Sequence, residues 1–468
     1  MNLERWTSLG YKLLVRIFAV CFFLAMLLMG CGNGRFWAVL VAAGSYWAFR
    51  RYRRIPAFTL WLFLATFAVN LAWVFWLDPK PDSDFAALHM AAQSLLEGDL
   101  SFNTAAYFVL WSYQLPFVAL EALLLLRIWN DPLCIQIFNC LCAAGSVCLV
   151  YRLLRGRVSD AAARTAAVCL MVFPTMGAMS ALLTNQCCGA FFLVLGLWLV
   201  CGTDAEKLGF ARYPLAGLSI QVGNLLRPEG VIVLIALLAY GLFNLLRHPE
   251  TLKRGALAVV ALAGIYLLTG FAADQAVIHT GLSPHGVQNQ LPQWKFVCGT
   301  NFETNGGYAA ADFQLLADTL DDNYLPTDET DVVVKQILSE RFTHPVEDWV
   351  TLLRNKMEKF WGRPGTGWAL VDQTAASPQF AKHVRPAIED FDRTLFWMAV
   401  MLSLIGLLSK KREPSHFISY FVFFAAFAAF LLIEVQPRYA YFPDFFLLAS
   451  GAFGIDRIER FFTNEADK

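Results

Sequence analysis

Apolar residues in this chain come in long unbroken blocks, separated by short polar or basic loops. A helix needs about 20 apolar residues to cross a bilayer core. The blocks that reach or approach this length are 13–30, 36–49, 57–77, 133–151, 161–179 and 187–201. They continue with 214–226, 230–246, 255–272, 395–408, 417–433 and 440–455. This pattern predicts an all-α polytopic membrane protein with about twelve spans. Arg5, Lys12 and Arg16 precede the first block, which reads as a signal anchor.

Lysines and arginines in short loops set orientation. Arg50, Arg51, Arg53 and Arg54 form one basic loop, and Arg152, Arg155 and Arg157 another. Lys207 with Arg212, and Arg247 with Lys253 and Arg254, give two more. Lys410, Lys411 and Arg412, then Arg457 and Arg460, complete the set. All fall on the cytoplasmic side, with both termini inside, provided that the apolar stretch 115–129 does not cross. It is short and contains Glu121, and it reads as a juxtamembrane or re-entrant helix on the outer surface. Five regions follow: N-terminal spans at 1–77, a first outer loop at 78–132, a central bundle at 133–272, an outer polar subdomain at 273–392, and C-terminal spans with a short tail at 393–468. The polar subdomain has helix-like patterns at 331–342 and 346–361.

Composition sharpens this picture. The 468 residues are 57% hydrophobic and 16% charged, against roughly 45–50% and 25% in soluble domains. Disordered chains, small disulfide-stapled domains and ordinary soluble enzymes are excluded. Lys+Arg and Asp+Glu both total 37, so no basic field points to nucleic acid. Most of the 11 cysteines sit in apolar blocks, without zinc-ligand spacing or a disulfide framework. Few ionisable residues fall inside the blocks, which disfavours an ion-coupled carrier.

Candidate chemistry collects in the outer loops. Asp82 and Asp84 follow a span directly. Carboxylates there can take a proton from a hydroxyl or hold a cation, or simply start and cap a helix. Arg227-Pro228-Glu229 lies at the outer turn of a helical hairpin. Its arginine suits a phosphate, or else pairs with Glu229 or a lipid headgroup. Arg438 and Tyr439 lie between the last two spans, as phosphate and sugar contacts or as a snorkelling arginine in an aromatic belt. Lys295 stands in an aromatic, Gly-rich stretch of the polar subdomain, which can line a pocket or merely punctuate a loop. Lys356, Lys359 and Arg363 flank Trp361, as a basic patch for lipid headgroups or the polar face of a helix. His89, His279, His285 and His344 lack metal-ligand partners at helical spacing.

Four places together resemble the GT-C glycosyltransferases that use polyprenyl-phosphate sugars, in particular bacterial relatives of protein O-mannosyltransferases and lipid A aminoarabinose transferases. They are Asp84 with Gly98 downstream, the aromatic stretch from Tyr107 to Pro116, Arg227-Pro228-Glu229-Gly230, and Arg438-Tyr439 with Pro443. The resemblance implies a GT-C-like bundle and an inverting transfer from a lipid-linked sugar donor to an extracytoplasmic glycan, lipid or protein. Asp84 would be the general base, and Arg227 and Arg438 would hold the donor phosphate. Asp82, Tyr107, Asn185, Glu229, Lys295 and Tyr439 would be further substrate contacts. Where many relatives carry a second Asp, this chain reads Thr184-Asn185-Gln186. A divalent cation is therefore unsupported, and no metal ligands are assigned. The expected setting is the cytoplasmic membrane, among its lipids, with the site facing outward. The alternatives from other classes are a transporter or flippase of lipid-linked glycans and a non-catalytic envelope assembly protein.

Overall fold

The computed structural model describes residues 33–52, 54–77, 79–362, 385–408 and 417–463. The predicted anchor at 13–30, Arg53, Asp78, Arg363 and the basic run at 410–412 lie outside the described residues. Within the described residues every other predicted span is helical, and no strand forms. Apolar blocks close their backbone hydrogen bonds internally, which a lipid environment requires. The chain is a multi-pass membrane protein.

In chain order the helices are α1 (Asn33–Arg51), α2 (Phe58–Leu77), α3 (Ser83–Glu97), α4 (Leu115–Ala119), α5 (Pro132–Leu154) and α6 (Asp160–Met171). Next come α7 (Pro174–Ala181), α8 (Gln186–Cys201), α9 (Arg212–Leu226), α10 (Gly230–Arg247) and α11 (Leu252–His279). The polar region supplies α12 (Trp294–Gly299), α13 (Ala310–Ala317), α14 (Asp328–Phe342) and α15 (Val346–Met357). The chain returns to apolar helices with α16 (Arg385–Leu407), α17 (Ile418–Leu432) and α18 (Tyr441–Thr463).

The described helices do not confirm the count of about twelve spans. Among the described residues four are long and apolar enough to cross alone, or up to six if each bent pair is one span. Pro174 breaks the block 161–179 into α6 and α7 with a 44° bend, because proline cannot continue the first helix. Between α8 and α9 the bend is 86°, across the polar turn that carries Asp204 and Glu206. α17 has only 15 residues. Block length counts apolar residues and is blind to such breaks.

Small residues bring the helices close. A Cβ at Gly189 of α8 would lie 2.8 Å from the Cβ of Arg227, so glycine lets α8 pass beneath the end of α9. At Gly299 a Cβ would meet the Leu432 carbonyl at 2.3 Å, so the same economy seats α12 on the end of α17. Cys140, Cys142, Cys187 and Cys188 are free thiols buried in the bundle.

α3 ends in Gly98, at φ 85°, whose left-handed backbone closes the helix through bonds to Leu95 and Ser94 carbonyls. Its buried face packs on α4 and on the π-helical turn Leu120–Leu126 that continues it. There the His89 imidazole Nδ1 lies 2.5 Å from Glu121 Oε1, and Glu121 is fully buried. His89 thus ties α3 to the 115–126 segment.

The polar region has its own small core of Leu110, Leu291, Trp294, Val297, Cys298, Leu316, Val334 and Ile337. Arg341 braces it by donating to Asp312 and to the Val297 carbonyl. Lys356 corrects the sequence reading of a lipid-facing patch or polar helix face. It is 1% exposed, and its ammonium donates to the carbonyls of Gly299, Leu431 and Ile433 at 2.8–2.9 Å. Burial, then Lys359, pulls its proton affinity down to about 8, whereas the three carbonyls favour the charged form. Trp361 is likewise buried, on Phe427.

Candidate active site

Several helix ends meet at one end of the bundle, opposite the arginine-rich loops. α2, α9 and α17 finish there, and α10 and α18 begin. The loops between them and the polar region enclose a cavity of about 1230 Å³. Asp82, Asp84, Tyr107, Arg227, Glu229, Lys295, Arg438 and Tyr439 all line it. Eight of the nine residues to which the family resemblance gives a role therefore reach one space. The ninth, Asn185, stands behind the wall.

Tyr439 is the centre of the polar part. The Arg227 guanidinium carbon lies 4.9 Å from its ring centroid, Lys295 Nζ 5.6 Å and the Arg438 guanidinium carbon 5.7 Å. An aromatic face attracts cations, and here one ring gathers three. Arg438 also lies over the Phe85 ring, at 5.4 Å. Three like charges so close require compensation, and each cation has a carboxylate. Arg227 Nε donates to Glu229 Oε1 at 3.0 Å. Lys295 Nζ donates to Glu434 Oε2 at 2.5 Å. Arg438 Nη2 donates to Asp84 Oδ2 at 2.8 Å.

Local structure places each partner. Asp84 sits in the first turn of α3, after Ser83 at φ 52°. That backbone is unfavourable for serine and turns the chain sharply between two carboxylates. Arg227 follows the last residue of α9 in extended conformation, and Pro228 and Glu229 complete the turn into α10. Behind it, Arg227 Nη1 reaches Asn185 Oδ1 at 3.5 Å, and Asn185 Nδ2 donates to Gln114 Oε1 at 3.1 Å. Gln114 reaches Tyr107 at 3.5 Å. Asn185 therefore links the α9–α10 turn to the first loop.

Glu434 was passed over in the sequence. It is 2% exposed and accepts from Lys295, from the Tyr439 hydroxyl at 3.2 Å and from Gln436 at 2.8 Å. Burial would raise its proton affinity, but Lys295 and the hydrogen bonds outweigh burial and hold it below the ordinary carboxylate range. Burial would also lower that of Lys295, yet Tyr439 and Glu434 hold it above the ordinary lysine range. Burial, then Asp84, pushes the Tyr107 hydroxyl upward.

The rest of the wall is chemically distinct. Val231, Ile232 and Ile235 of α10 face Ala429, Phe430 and Ile433 at the end of α17 as an apolar sector. Trp111, Trp294, Tyr308 and Phe313 form an aromatic one, with Trp111 stacked on Phe313 at 5.8 Å. Among the described residues no group of three His, Cys, Asp or Glu side chains is placed to hold a metal ion.

Residues 114–270 match the family model of dolichyl-phosphate-mannose-protein mannosyltransferases. The match supports the GT-C resemblance. It includes Asn185, Arg227 and Glu229 but neither Asp84 nor Arg438. No curated protein matches the chain. Among solved structures, an archaeal oligosaccharyltransferase, AglB from Archaeoglobus fulgidus in complex with an inhibitory peptide and a dolichol-phosphate, is 15% identical with a TM-score of 0.49 over 90% of this chain. An oligosaccharyltransferase of the same organism in the apo form is 13% identical, also at 0.49, over 88%. This chain spans about half of each, 52%.

Proposed function

We propose that the protein is an inverting GT-C glycosyltransferase, moving a sugar from a polyprenyl-phosphate donor to an acceptor on the outer face of the cytoplasmic membrane. One observation carries the reading: three cations surround one tyrosine ring in the cavity that also holds Asp84. The basic loops lie at the other end of the bundle, which favours an outward-facing cavity.

In this reading the lipid lies in the apolar sector between α10 and α17, with its phosphate among Arg227, Lys295 and Arg438. The acceptor hydroxyl attacks C1 of the sugar from the face opposite the phosphate. The C1–O bond to phosphate breaks, the hydroxyl proton passes to Asp84, and the leaving phosphate gains one negative charge. Cations placed where that charge develops lower the barrier more than they stabilise the bound donor. The acceptor is a cell-envelope glycan, a lipid or a protein.

The test is release of free polyprenyl phosphate from a panel of polyprenyl-phosphate sugars by membranes containing the protein. Asp84→Asn should lower transfer about 10²–10⁴-fold, the range for losing a general base, at unchanged abundance and melting temperature. Retained transfer in that variant would remove Asp84 as the base.

A further inference from the structure

We propose that Asp84 and the donor phosphate alternate on Arg438, so that donor binding is the step that frees the base. This rests on the reading of the cavity as a lipid-phosphate site. Each of the three cations around Tyr439 already holds a carboxylate, so an arriving phosphate competes with a carboxylate for its cation.

The three pairs are unequal. Glu434 is held by three donors and is buried. Glu229 lies two residues from Arg227 in the same tight turn, with a side chain only 12% exposed. Asp84 comes from a separate element 354 residues away in the chain, and its side chain is 38% exposed. Arg438 is its one side-chain hydrogen-bond partner among the described residues. Asp84 is the carboxylate that can leave.

Arg438 shows the complementary half of the argument. Nε and Nη2 form one edge of the guanidinium, suited to two parallel bonds with a phosphate. Asp84 occupies Nη2, while the buried Nε has no hydrogen-bond partner among the described residues. The edge is half used, and a phosphate takes both donors only after Asp84 withdraws.

Charge balances across the step. Donor phosphodiester and Asp84 each carry one negative charge. After transfer Asp84 is protonated and neutral, and the phosphate monoester carries two. Arg438 thus ends beside the partner that has gained charge. Binding is ordered, donor before acceptor.

The experiment measures binding of polyprenyl phosphate, without a sugar, to the purified full chain in nanodiscs. Wild type, Asp84→Asn, Arg438→Ala and the double variant are compared. Removing the competitor should tighten binding about 2–5-fold in Asp84→Asn, the scale of one partly exposed ion pair. In the Arg438→Ala background the same change should give no gain. Equal or weaker binding by Asp84→Asn, with wild type binding normally, overturns the competition and leaves the phosphate site standing. A gain that survives in Arg438→Ala also overturns it, since mere removal of negative charge would then explain the effect. Failure of folded wild type to bind the lipid phosphate overturns the proposed function itself.

Discussion

Arg227 illustrates what one residue carries. Its guanidinium meets Glu229, Asn185 and the Tyr439 ring at once. Lysine would keep the charge but lose the planar fork that makes those contacts together. Arg227→Lys should therefore lower kcat about 10²-fold, comparable to losing one preorganised charge-stabilising donor, with melting temperature nearly unchanged. Steady-state transfer assays check this. Asp84, Arg227 and Arg438 were legible in the sequence because charge at the end of an apolar block is costly and stands out. Glu434 lies four residues before Arg438, yet nothing local distinguishes it from a polar loop residue. Its meaning comes from Lys295, which lies 139 positions away. Lys356 misled in the opposite direction. Neighbouring charges made it look solvated, and only the fold brings three carbonyls to its ammonium.

Among the elements, α12 and α17 depend on each other through that lysine. Lys356 closes the carbonyl end of α17, where a helix has unsatisfied acceptors, and pins it to the end of α12. The Glu434 amide donates to the Lys295 carbonyl at 2.8 Å, and the Val435 amide to that of Gly306 at 2.8 Å. Lys356→Met fills similar space but leaves three carbonyls without their donor. It should destabilise the polar region by about 2–4 kcal/mol, read as faster proteolysis within 294–357 in the native membrane protein. Helix existence was readable from block composition, and so was the break after Cys201, where Lys207 and Arg212 interrupt the apolar run, whereas the bend at Pro174 was not, because the apolar residues on either side of it look continuous.

At the scale of the whole molecule, the Lys295–Glu434 pair, which bridges the polar region and the loop after α17, ties stability to pH. Glu434 is more acidic folded than unfolded, so its contribution is present above the ordinary carboxylate value of about 4.3 and is lost as pH falls through the lower folded value. Lys295 is raised, so its contribution is present below about 10.4 and is lost as pH rises through the higher folded value. The pair should therefore make melting temperature fall on acidification below about 4.3. Glu434→Gln should flatten the acid limb in the same thermal measurement.

The Asp84–Arg438 bond spans 354 positions of the chain. During synthesis the first loop emerges long before α17 and α18 exist. Until that final hairpin enters the bilayer, Asp84 has no arginine, Arg227 lacks the ring it shares with two other cations, and the cavity lacks one wall. Under the proposed function, a nascent or truncated chain that lacks α17 and α18 would not yet transfer sugar, to water or to an acceptor, and competence would arrive only once that hairpin has inserted.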